Sequence, residues 1–142
     1  MDTIDVKTNW NQVYILTKHW KSDLEFYKMD LDFLKGLIGK YFIWLNKDQN
    51  IKNLLRLKMR IQLQLTELDH TNTLIDEHLK HLQERMHLTA EQEGLRIEND
   101  VLEMRIANLL MAFKALKAEV LQTTELVIEE EKLERFVNPQ TN

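Results

Sequence analysis

Apolar residues recur along this chain at alternating steps of three and four, the spacing that collects side chains on one helix face. In the first third, one column reads Val13, Trp20, Tyr27, Leu34, Tyr41, and the column four residues on reads Thr17, Leu24, Leu31, Ile38, Leu45. Two such columns side by side form the a/d seam of coiled-coil-like packing. The polar run Asn46-Lys47-Asp48-Gln49-Asn50 breaks the pattern, and Asp48 or Asn50 is placed to cap the helix that follows. The second helix shows Leu54, Ile61, Leu68, Ile75, Leu82 beside Lys58, Leu65, Asn72, Leu79, Met86. The third shows Leu95, Leu102, Leu109, Leu116, Thr123 beside Asn99, Ile106, Phe113, Val120, Val127.

The third helix does not continue the phase of the second. The column through Leu82 next reaches Thr89, whereas the apolar residue is Leu95. Thr89 followed by Gln92 reads as a capping box, and Gly94 weakens helix nearby. A turn near Leu88 to Ala90 is therefore expected, with a single kinked helix as the alternative. The pattern predicts an all-α protein: an elongated, antiparallel up-down-up three-helix bundle with heptad packing. It is one domain over 1–136, with helices at about 8–45, 50–88 and 90–136 and a flexible tail at 137–142.

Charge is consistent with that order. Lys52, Arg56, Lys58 and Arg60 crowd the start of the second helix, and Glu129, Glu130, Glu131 and Glu134 the end of the third. Each cluster opposes its own helix dipole, and an up-down-up fold sets the two side by side, although solvated charge alone also accounts for them. The same register sets Asn99 level with Thr17, where it either hydrogen-bonds that hydroxyl or turns to water.

Composition removes several classes of function. A net charge of −4 argues against nucleic acid. With no cysteine there is no disulfide or thiol chemistry, which fits a cytoplasmic location. The acidic start Met1-Asp2-Thr3-Ile4-Asp5 does not resemble a signal peptide, and no apolar run approaches the roughly 18 residues of a membrane span. Three glycines cannot form a phosphate loop, and Ser22, the one serine, has no elbow around it.

Histidine and carboxylate supply the remaining chemistry. Glu67 with His70 and Glu84 with His87 have the Glu-x-x-His spacing of di-iron bundles. Both pairs lie on one helix and point away from its seam. His78 and His81, with Glu77 and Glu84, are expected on the same outer face. Side chains of His and Glu converging from two or more helices would favour a carboxylate–histidine metal-binding bundle. Their absence from the expected seams predicts no catalytic, cofactor or metal site, and a protein that is not an enzyme.

The anomaly is apolar. The first helix carries a second stripe away from its seam, with Phe26, Met29, Phe33, Leu37 and Trp44 its chief members. The third carries Ile97, Met104 and Met111, followed by Ala118, at seven-residue spacing opposite its seam. One apolar face suffices for a helix in a monomeric bundle. Either the seams are wide, or these residues form a second interface. The expected function is a non-enzymatic scaffold or adaptor that forms a homo-oligomer, a dimer in the simplest case, or binds a partner protein. A membrane surface is the third reading, and the helix lacks the basic face that it calls for.

The stretch His19-Trp20-Lys21-Ser22-Asp23-Leu24-Glu25-Phe26, with Tyr41-Phe42-Ile43-Trp44-Leu45, resembles small helical proteins of unassigned function from flavobacteria and their relatives. That resemblance implies an all-helical fold and brings no activity. The architecture is also similar to a spectrin-type three-helix repeat, by analogy of fold alone.

Overall fold

A computed structural model describes residues 8–43 and 45–137. Helix α1 spans Trp10–Phe42, α2 Asp48–Arg85 and α3 Gln92–Val137, with one 3-10 turn at Thr89–Glu91 between α2 and α3. The fold is an all-α helical bundle, with no strand among the described residues. At 1.5 Å per residue the three helices are about 50, 57 and 69 Å long. No described helix is long and apolar enough to cross a membrane.

Helix α1 starts where Asn9 accepts the Gln12 N–H at 3.2 Å, an ordinary N-cap. It ends three residues earlier than the heptad pattern suggests. Leu45 has left the helix, bonding its N–H to Phe42 at 3.2 Å while its side chain stays buried. Trp44 and residues 138–142 of the expected tail lie outside the described residues.

Contacts between helices repeat at heptad intervals. Lys21 pairs with Asp76, Lys28 with Asp69 at 3.5 Å and Lys35 with Gln62 at 3.1 Å, so seven residues forward on α1 match seven back on α2. Between α2 and α3, Arg60 pairs with Glu119, Gln64 donates to the Ala112 carbonyl at 2.9 Å and Arg105 reaches Glu67 at 3.0 Å. Again the order on one helix reverses on the other. The α1–α3 contact keeps the same order on both: Tyr27 stacks on Phe113 at 4.9 Å, and Lys117 meets Asp30 at 3.1 Å. Lys21, Lys28, Lys35 and Asp30 of α1 therefore reach neighbouring helices.

The core holds Leu24, Leu31 and Ile38 of α1, Leu54, Ile61 and Ile75 of α2, and Leu102, Leu116 and Val120 of α3. The second column of α2 differs from the expected one. Lys58 is exposed and Asn72, Leu79 and Met86 are half-buried, whereas Leu57, Thr71 and His78 are fully buried. The reason is position. α2 packs closely along both α1 and α3, which meet each other less closely, so its buried face is three columns wide. Leu65, Asn72 and Leu79 lie toward α1; Leu57, Thr71 and His78 lie toward α3.

The α2–α3 connection is a true break. Leu88 bonds back to Arg85 at 2.9 Å, and Glu91 to Leu88 at 2.9 Å. The expected capping box is not formed. The Gln92 N–H bonds the Thr89 carbonyl, and the Gln92 side chain donates to the Met86 carbonyl at 2.9 Å.

Neither Asp48 nor Asn50 caps α2. The first position outside that helix, Lys47, makes no side-chain cap. Glu131, from the far end of α3, does the work across the bundle. Its carboxylate accepts the Asn46 N–H at 3.2 Å, the Lys47 N–H at 3.3 Å and the Asn50 amide at 2.8 Å. Burial opposes its charge, but these hydrogen bonds and nearby Lys47 outweigh burial and hold the carboxyl below its ordinary range. Glu130 adds an exposed ion pair with Lys47 at 2.6 Å. The basic start of α2 and the acidic end of α3 thus meet chiefly through Lys47, Glu130 and Glu131, while Arg56 and Arg60 pair with Glu119. The side chain of Glu134 lies outside the described residues.

Candidate functional site

Two features stand out from the packed core: a buried polar cluster between α2 and α3, and the apolar faces left in water.

The cluster centres on His78, which is fully buried rather than on the outer face of α2. Its Nδ1 lies 2.5 Å from a Glu98 carboxylate oxygen, and its Nε2 lies 3.1 Å from the Asn99 side-chain oxygen. His81 Nδ1 meets both oxygens of the same Glu98, at 3.0 and 2.9 Å. Burial works against the charged form of Glu98. Hydrogen bonds from the two rings, with their electrostatic attraction, outweigh it and hold the carboxyl below its ordinary range. Ring and amide are coupled: an Asn99 oxygen facing Nε2 requires a proton on that nitrogen, and a neutral ring requires the amide to turn its NH₂ inward.

Asn99 is therefore satisfied by His78 rather than by Thr17, whose hydroxyl donates to its own helix at Val13, 2.8 Å away. Histidine and glutamate do converge here from two helices. The Glu98 carboxylate itself fills the space between the two Nδ1 atoms, so the groups bind one another. Among the described residues no group of three or more His, Asp or Glu is arranged to hold a metal ion. The two Glu-x-x-His pairs are exposed, and Glu67 is engaged with Arg105. The cluster links α2 to α3 through side chains of both helices.

The apolar stripes are exposed. On α1, Phe26 is 64%, Met29 70% and Phe33 62% accessible. On α3, Ile97 is 57%, Met104 68% and Met111 70% accessible. Leu37 differs, being half-buried in a groove between α1 and α3 with Tyr41, Leu121 and Ile128. The seams are thus wider than two columns at Leu37, but not at Phe26, Phe33 or the outer methionines.

Two exposed sets escaped the sequence reading. Leu55, Met59 and Leu63 form a short stripe on α2. On α3, Val101 is 60% accessible and Asn108 and Ala115 are exposed, completing a second column beside Ile97, Met104 and Met111. That column was readable from its spacing, but a valine, an asparagine and an alanine carry little apolar signal.

Comparison of the chain with protein-family models, with curated proteins and with solved structures gave no match.

Proposed function

We propose that this protein is a non-enzymatic scaffold or adaptor of the cytoplasm: an elongated up-down-up bundle with coiled-coil-like packing that self-associates, or binds a partner protein, through apolar surface its own core does not use. The exposure of Phe26, Met29 and Phe33 on α1, and of Ile97, Met104 and Met111 on α3, carries this reading. Scattered exposed apolar residues need no explanation, whereas stripes repeating every seven residues along a helix form continuous surface of the kind that marks interfaces. Burying one such side chain contributes about 1.5–3 kcal/mol. Several together offset the roughly 4–15 kcal/mol lost in association. A two-fold dimer is the simplest closed solution, since one self-complementary face serves both copies.

Paired substitutions test the division between core and outer face. Met104→Glu is expected to weaken association while the helical circular dichroism is retained. Leu31→Glu, at a position 1% accessible, is expected to unfold the bundle. Equal unfolding by both would make the second stripe intramolecular core and remove the basis of the proposal.

A further inference from the structure

We propose that the outer face of α3 receives the α3 helix of a second copy of this chain, parallel and in register, as a two-stranded coiled coil. The inference rests on the self-association proposed above and adds the face, the occupant and the register.

The outer face of α3 has its own heptad seam. Val101, Asn108 and Ala115 form one column, and Ile97, Met104 and Met111 the other, with steps alternating between four and three. These positions lie opposite the columns of Leu102, Leu116, Ile106 and Phe113 that enter the core. By spacing, the column of Val101 takes the a position and the column of Met104 the d position.

Asn108 then stands at an a position in the middle of the seam. A lone asparagine there selects two strands in register, because its amide is satisfied only by its own copy across the interface. Parallel packing sets a against a, so Asn108 meets Asn108 of the second copy. Antiparallel packing sets a against d. It would oppose Asn108 to Met104 and leave a buried amide without a partner.

Charges beside the seam favour the same arrangement. In a parallel pair, a residue just before an a position faces the residue five further along the other chain. Asp100 then faces Arg105, and Lys114 faces Glu119, each pair opposite in sign and each formed twice by the two-fold axis. Antiparallel packing centred on the same seam would set Arg105 against its own copy. Arg105 and Glu119 are held at the lip of the seam by α2, through Glu67 and Thr71 for the first and Arg56 and Arg60 for the second, yet each stays about a third exposed. One like-charged pair arises, Glu93 with Glu98. It lies before Ile97, the first large apolar residue of the seam, and Glu98 is turned toward His78 and His81 of its own chain.

The absence of native cysteine makes a crosslinking test clean. Ala115→Cys and Phe33→Cys, both exposed, are oxidised separately in a glutathione buffer, and the wild-type mass is read by light scattering. A parallel α3 pair brings position 115 of the two copies within disulfide reach, about 4.4–6.8 Å between Cα atoms. The expected result is a wild-type dimer, near-complete crosslinking of Ala115→Cys and little of Phe33→Cys. Asp100→Lys is expected to weaken the dimer roughly three- to tenfold. A wild-type dimer that crosslinks through Phe33→Cys instead, or only in a mixture of Met104→Cys with Asn108→Cys, would overturn the parallel α3 pairing and leave self-association standing. A wild-type monomer with no crosslinking would overturn both.

Discussion

Removing the Glu131 carboxylate should damage the start of α2, some 80 residues away in sequence, more than any change at α2's own first residues. In Glu131→Ala, the N–H groups of Asn46 and Lys47 and the amide of Asn50 lose their acceptor at a position 4% accessible, where water cannot readily replace it. Loss of an N-cap costs about 0.5–2 kcal/mol. Stranding a buried donor costs about 1–3 kcal/mol, and losing a negative charge at a helix N-terminus about 0.3–2 kcal/mol. These effects describe overlapping interactions and do not add, so about 2–4 kcal/mol is expected. That is a large share of the roughly 5–15 kcal/mol that stabilises a typical domain. Glu131→Gln keeps one oxygen and should cost about half as much. Glu130→Ala removes only an exposed ion pair and should cost under about 1 kcal/mol. Urea unfolding followed by circular dichroism measures all three. If Glu131→Ala costs no more than Glu130→Ala, Glu131 does not cap α2 across the bundle.

Acid should also weaken the fold through Glu98 and Glu131. Both carboxyls are held below the usual 4.5, so below that pH the unfolded chain takes up their protons first and stability falls as pH falls; a melting temperature flat from pH 6 to about pH 3 would contradict this. His78→Leu strands Asn99 and should cost about 1–3 kcal/mol, of which His78→Leu with Asn99→Leu should recover part; strictly additive losses would show that the two side chains do not interact. Gly36, Gly39 and Gly94 lie in helices, with open space where a Cβ would stand, so each change to Ala should stabilise by about 0.5–1 kcal/mol in thermal unfolding, and destabilisation would mean the site is occupied in solution.

The helical fold was legible in the sequence wherever a helix offers a single face to the core. Leu24, Leu31 and Ile38 of α1, and Leu102, Leu116 and Val120 of α3, fall where the heptads put them. α2 departs from that reading because it packs closely along both other helices, whereas α1 and α3 meet each other less closely. Its third buried column passes through Gln64, Thr71 and His78, polar residues that a search for apolar repeats rejects. Their partners lie on α3: the Ala112 carbonyl, Arg105 and Glu98. The Glu131 cap was hidden in the same way. In a run of glutamates it reads as solvated charge, and only the proximity of the two helix ends gives it a role. Phe26, Phe33, Met104 and Met111 lie off the seams as their spacing predicts, because their exposure follows from the same periodicity that defines the core.

The exposed outer face of α3 is, on this reading, covered by another copy of the chain. Sedimentation equilibrium of the wild-type protein across the micromolar range tests it most directly. A mass approaching twice the 17.1 kDa of one chain is expected as concentration rises, with Met104→Glu or Asp100→Lys shifting the transition upward. A mass of 17.1 kDa at every concentration would contradict it.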